Sequence, residues 1–258
     1  MVPWRVLGVV TIAAALFSLL PGDLRHKAHL VLQGVCAQRP SHSFQFSGQP
    51  LPVDARMTGM YLGAASTLLW YLLICQARVS GRFTRPAWVI LALFLGVMAL
   101  DGLNSLATDV GVATFYASTN VTRLVTGLLS GIAIGALLSH LATICLTRRP
   151  RGGWAPVGLR TLAPPAILAA MMCGLAASGL PTLALPYTWL ILASALVVLW
   201  AIASVLVALS LQRAWGFASA RQKDETLAMA FVVACALLAV FASARTVLEQ
   251  VVGPLNLS

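Results

Sequence analysis

The sequence predicts an all-α fold, a polytopic bundle of about seven transmembrane helices, from three observations. Hydrophobic residues make up 59% of the 258 and charged residues only 9%, too few to clothe a soluble domain. Apolar runs long enough to cross a hydrocarbon core of roughly 30 Å recur along the chain. The third observation is charge placement. The formal net charge is +10, yet Lys and Arg gather in short segments between the apolar runs, which is a topology signal and argues against a nucleic-acid surface. Lipid offers no hydrogen bonds to a backbone, so uninterrupted runs of this length are read as helices.

Taken in order, the spans fall at residues 4–20, 58–75, 88–106, 121–146, 166–180, 187–211 and 226–248. The first is read as a retained helix, because Pro21-Gly22-Asp23 supplies no small-x-small cleavage site. Residues 21–57 form a cap between the first and second spans. Within it, Asp23 to Val35 has basic residues on one side and Leu24, Leu30 and Leu32 on others, the pattern of an interfacial helix. In the fourth span Gly127, Gly131 and Gly135 recur every four residues and Ser139 continues the row. Gly59 and Gly63 give the second span a similar smooth face, making these two helices candidates for close mutual packing. No internal repeat is evident, and residues 1–258 read as a single integral membrane domain.

Orientation follows from loop charge. Segments 76–86, 148–163 and 212–224 hold three, four and three basic residues, whereas 107–120 and 181–186 hold none. The basic segments are therefore expected in the cytoplasm, with the N-terminus inside and the cap and C-terminus exoplasmic. Arg25, Lys27, Arg39 and Arg56 run against this pattern and suggest a folded cap.

Chemistry-bearing residues are few. Cys75, Cys145, Cys173 and Cys235 lie in or at the ends of apolar runs and read as packing groups, leaving Cys36 in a polar stretch and no disulfide framework. Asp101 lies within the third span, where an ionised carboxylate requires a partner. Asn104 follows it at i+3, and Asn120 and Arg123 repeat that relation at the start of the fourth span. An Asp101–Arg123 ion pair flanked by the two asparagines is expected.

The cap carries Val35-Cys36-Ala37-Gln38-Arg39-Pro40-Ser41-His42-Ser43-Phe44 and then Asp54-Ala55-Arg56-Met57-Thr58-Gly59-Met60-Tyr61. Together with Asp101-Gly102-Leu103-Asn104 and Asn120-Val121-Thr122-Arg123, these stretches resemble the prokaryotic predicted membrane proteins of domain-of-unknown-function family twenty eighty-five. That family's usual signature is Cys-His-Gln, an Arg-Ser-Phe stretch, and Cys-Ala-Arg-Cys-Thr-Gly-Ile-Tyr. The resemblance covers about residues 35–140 and implies a membrane protein of unassigned function. This chain keeps Cys36 but has Ala37, Asp54 and Met57 where the signature has His, Cys and Cys. A Cys/His metal site is therefore not expected there, and no cofactor is. A set made of His26, His29, Cys36 and His42 is the alternative, against which an interfacial helix with solvated imidazoles is the simpler reading.

The ligand-binding candidates are Gln38, Arg39, Ser43, Gln49, Arg56, Thr58, Tyr61, Asp101, Asn104, Asn120 and Arg123. They bind by hydrogen bonds and charge. No catalytic residue is assigned, since paired carboxylates, a phosphate-binding glycine loop and a Ser/His/Asp set are all lacking. The expected function is a non-enzymatic binding or accessory membrane subunit with a polar exoplasmic pocket, its partners membrane lipids and other membrane subunits. Two alternatives stand beside it: a transporter of a small anion or lipid, and a membrane enzyme acting on a lipid-linked substrate with Asp101 as base.

Overall fold

Asp54 begins the central helix, its carboxylate accepting from the Met57 amide at 2.8 Å and so satisfying one of the open donors of the first turn. In the computed structural model, which describes residues 3–46, 48–75, 82–146, 156–213, 217 and 219–252, this helix, α3 (Ala55–Leu69), runs on through a π-helical turn at Trp70–Ile74. Before it come α1 (Trp4–Leu19), α2 (Leu24–Leu32) and a two-stranded antiparallel ribbon, β1 (Gln45–Phe46) with β2 (Gln49–Pro50). After it come α4 (Arg85–Asp109), α5 (Asn120–Leu146), α6 (Leu159–Ala177), α7 (Ala184–Ser210) and α8 (Ala220–Val252).

Six of these helices are long and apolar enough to cross a membrane; α1 and α2, bent by 113° at residues 20–23, make a seventh candidate only as a pair. This is a multi-pass membrane protein. The expected span at 4–20 stops one residue earlier, and its 16 helical residues cover about 24 Å at 1.5 Å each. The chain turns there because Gly22 takes a φ of 85°, after which the Asp23 carboxylate caps α2 through the His26 amide. The sixth helix begins at Leu159, ahead of the expected 166, because Pro164 and Pro165 sit within its second turn without ending it. Helices α4 and α8 likewise outrun their apolar cores by several residues at both ends.

The bundle is built around α3 and α5, the most buried spans. They run parallel. A Cβ placed on Gly127, Gly131 or Gly135 would run into the carbonyl of Arg56, Met60 or Ala64 respectively, and one on Gly63 would lie 2.7 Å from the Leu128 carbonyl. Backbones this close are possible only where side chains are absent on the contact face. Helices α4, α6, α7 and α8 lie further out, with one face on the core and the other carrying Leu, Val and Trp side chains exposed to the bilayer.

The cap joins both halves of the chain. Helix α2 packs on α7 and α8, and Phe46 stacks on Tyr187 of α7 with ring centroids 6.0 Å apart. Arg245 of α8 donates to the carbonyls of Gln33 at 2.8 Å, Cys36 at 2.6 Å and Ala37 at 3.1 Å, closing the open end of α2. At the opposite face, Val157 bridges in parallel to Phe83, tying together the segments that lead into α4 and α6. Arg148 to Arg151, on which much of the expected orientation rests, lie outside the described residues.

Candidate polar site beneath the cap

The first glycine contact of the α3–α5 pair also builds the site. By admitting the Arg56 carbonyl against Gly127, it sets the Arg56 side chain beside the α5 turn that carries Arg123 and Thr126. Asp101 comes in from α4, roughly two turns before that helix ends. Arg56 Nη2 donates to Asp101 Oδ2 at 2.6 Å and to the Asp101 carbonyl at 3.3 Å, an ion pair with side-chain exposures of 21% and 1%.

The expected partner of Asp101 is corrected here. Among the described residues its ion pair is with Arg56, while Arg123 donates to Ser105 Oγ at 3.4 Å and to Asn120 Oδ1 at 3.3 Å. The antiparallel neighbourhood of α4 and α5 does bring Asp101 and Arg123 into one cluster. The closer approach belongs to α3, whose glycine-mediated contact with α5 aims Arg56 at the carboxylate.

The other lone pairs of Asp101 are also taken. Oδ1 accepts from Tyr116 Oη at 2.5 Å and from Ser118 Oγ at 3.3 Å, and Oδ2 accepts from Thr126 Oγ1 at 3.0 Å. A carboxylate with four donors is a satisfied structural anion, which makes it poor material for a general base. Ser105 Oγ accepts from both Arg56, at 3.0 Å, and Arg123, and donates to Ser118, so one hydroxyl links the two guanidinium groups.

The loop between α4 and α5 closes this cluster. Asn104 donates to the Tyr116 carbonyl at 2.8 Å and accepts the Phe115 amide at 2.9 Å, which fixes Tyr116 over Asp101. Donating to a carboxylate stabilises the phenol's proton, so the Tyr116 hydroxyl titrates above its ordinary value of 10.0. Asn120 reaches the cap, donating to the carbonyls of Ser41 and Ser43 at 3.3 and 3.4 Å.

Between the cap and these helix ends lies a cavity of about 240 Å³. Its walls include the guanidinium-bearing Arg39, Arg56 and Arg123, together with His42, Ser105 and one carboxylate residue, Asp54. Arg56 Nε is buried at this wall and has no hydrogen-bond partner among the described residues. Leaving such a donor unsatisfied costs roughly 1–3 kcal/mol, a cost that an oxygen atom placed there removes.

The remaining candidates serve the cap itself. Gln38, at a φ of 55°, donates to the carbonyls of His29 and Pro52 at 3.0 and 2.8 Å. Ser43 donates to the Arg39 carbonyl, Thr58 donates to the Asp54 carbonyl, and Tyr61 is buried among apolar residues. Gln49 accepts from Arg25 at 2.5 Å, away from the cavity. Cys36 Sγ accepts from the amides of Gln38 and Asp54 at 3.4 and 3.3 Å, and burial beside the Asp54 carboxylate pushes its thiol up to about 12. Among the described residues no three His, Cys, Asp or Glu side chains come together as a metal would require. His42, Asp54, Ser105, Tyr116 and Arg245 were not singled out from sequence as members of this arrangement. The i+4 spacing of Ser105 from Asp101 was the one visible signal among them.

These features describe a helical membrane protein with a polar cluster at one end of its central pair. Residues 36–137 match the model of the family described as "Predicted membrane protein (DUF2085)". An uncharacterised protein of the archaeon Methanothermobacter thermautotrophicus is 36% identical over 111 residues, covering 42% of this chain and 89% of the relative. The chain belongs to this family of predicted membrane proteins. No solved structure matches it. The matched region takes in the second half of the cap, α3, α4 and most of α5, and so contains the whole polar site.

Proposed function

We propose that this protein is a binding or accessory membrane subunit whose pocket, beneath an exoplasmic cap, holds a small oxyanionic group, a phosphate or carboxylate such as a lipid headgroup carries. The observation that supports this most strongly is the cavity wall: Arg39, Arg56, Arg123 and His42 face Asp54, Asp101 engages only the Nη2 side of Arg56, and Arg56 Nε has no acceptor among the described residues. Arginine's planar fork matches carboxylate and phosphate oxygens. The charge asymmetry of the loops supports an exoplasmic position for the pocket.

Binding is favoured over transport because the buried hydroxyls deeper in the bundle are turned onto their own helices. Ser130, Ser139, Thr143 and Thr67 donate to carbonyls three or four residues back, at 2.8, 2.8, 2.7 and 2.8 Å, which leaves few groups to line a polar route.

Gly102 provides the test. A Cβ there would meet only Arg56 Nη1, at 4.0 Å, so Gly102→Leu fills the cavity with little disturbance of packing. Purified wild type in detergent should melt several degrees higher with sodium phosphate or short-chain phosphatidylglycerol than with sodium chloride of equal ionic strength. Gly102→Leu should keep the chloride melting temperature and lose the phosphate shift. Phosphate failing to shift the wild type, or shifting both proteins equally, would contradict the reading.

A further inference from the structure

A second opening lies at the other end of the molecule. Helix α1 runs alongside α8: its first turn donates the Arg5 and Val6 amides to the Asp224 carboxylate at 3.1 and 3.2 Å. Its far end places Phe17 against Trp189 of α7, ring centroids 5.7 Å apart, beside the cap. Between those contacts α1 and α8 leave a groove of about 680 Å³ whose floor and sides are Gly8, Val9, Ile12, Met229, Val232 and neighbouring apolar residues. A Cβ on Gly8 would meet nothing within 4 Å, so the glycine opens the groove without serving a helix contact.

The rim is charged. Arg5, Arg213 and Glu225 line it; Arg5 and Arg221 both pair with Glu225, and Arg213 donates to Thr226 at 3.0 Å. Of the lining residues, Arg5 and Arg213 against Glu225 leave one positive charge in excess, directly above an apolar cleft. A monoanionic phosphodiester attached to an acyl chain complements both parts. Zwitterionic phosphatidylcholine carries the same phosphodiester but offsets it with its own quaternary ammonium, so it brings no net charge to meet the excess.

We propose that the groove between α1 and α8 is a binding site for an anionic phospholipid, one acyl chain lying along Gly8, Ile12 and Val232 and the phosphate beside Arg5 and Arg213. The site is in the leaflet opposite the cap and is independent of the polar pocket. A lipid held there also fastens α1, which is joined to the rest of the bundle mainly by its two ends.

Nanodiscs of phosphatidylcholine alone and of phosphatidylcholine containing phosphatidylglycerol test this, with thermal unfolding as the readout. Wild type should melt several degrees higher with phosphatidylglycerol. Arg213→Gln should lose a large part of that difference, and Gly8→Leu, which fills the groove, should lose the part that this groove supplies while folding normally in phosphatidylcholine. Gly102→Leu, at the other pocket, should retain the part of the difference that this groove supplies. The proposal is overturned if Gly8→Leu and Arg213→Gln keep the full wild-type difference, or if native mass spectrometry shows a dimer that Gly8→Leu alone dissociates, which would make a second copy the occupant.

Discussion

At the residue scale the tightest constraint is the Asp101 carboxylate, 1% exposed and held by Arg56, Tyr116, Ser118 and Thr126. Removing one member of a buried pair strands the other, at a cost of about 3 to 5 kcal/mol. Asp101→Ala and Arg56→Ala should each lower the melting temperature in detergent markedly, while Asp101→Asn with Arg56→Gln should cost less than the two single losses summed. Full additivity in that cycle would deny the pair. Two further groups give an alkaline signature. Tyr116 and Cys36 are protonated more firmly in the folded chain than at their ordinary 10.0 and 9.0, the thiol to about 12. Their contribution to stability is therefore complete below about pH 9 and declines as pH rises toward 12. Thermal melts between pH 8 and pH 11 should show a steeper fall for wild type than for Tyr116→Phe with Cys36→Ser; equal slopes would contradict this. A spare carboxylate within an apolar run announces that a partner exists, which made Asp101 readable from sequence alone. Which arginine answers it depends on the angle between α3 and α5, and no spacing along the chain encodes that.

At the scale of elements, the glycine row explains why Arg56 is the one that answers. Gly127→Ala would drive a methyl group into the Arg56 backbone and should destabilise the protein by several kcal/mol, whereas Gly96→Ala on α4, with nothing within 4 Å, should change little. Chemical or thermal unfolding of the two variants distinguishes them, and similar effects would remove the central helix pair from the account. The apolar runs made the spans legible because bilayer thickness dictates their length. Their ends were less so. α4 starts at Thr84, whose hydroxyl caps the Ala87 amide at 3.4 Å, and ends beyond Leu106 because Asn104 and Thr108 hold the last turn, local polar contacts that hydropathy does not register. The cap was legible as an interfacial helix and as a folded segment. Its attachment by Arg245 was not, because one arginine in the last turns of α8 looks like an interfacial anchor until α2 is seen beside it.

For the whole molecule, the charge asymmetry of the loops predicts a cap outside and basic segments inside. Cys36 is a poor reporter of that arrangement, being 7% exposed with its thiol pushed up to about 12. An engineered Ser41→Cys on the exposed cap surface should react with an impermeant maleimide in intact cells, and Pro150→Cys should react only after permeabilisation. The reverse pattern would invert the topology. The central claim concerns what the cavity beneath the cap holds. A structure determined from protein extracted with its native lipids tests it most directly: ligand density should lie between Arg39, Arg56 and Arg123, with an oxygen about 3 Å from Arg56 Nε. A pocket occupied in that structure by water alone, or collapsed onto its own side chains, would contradict the account.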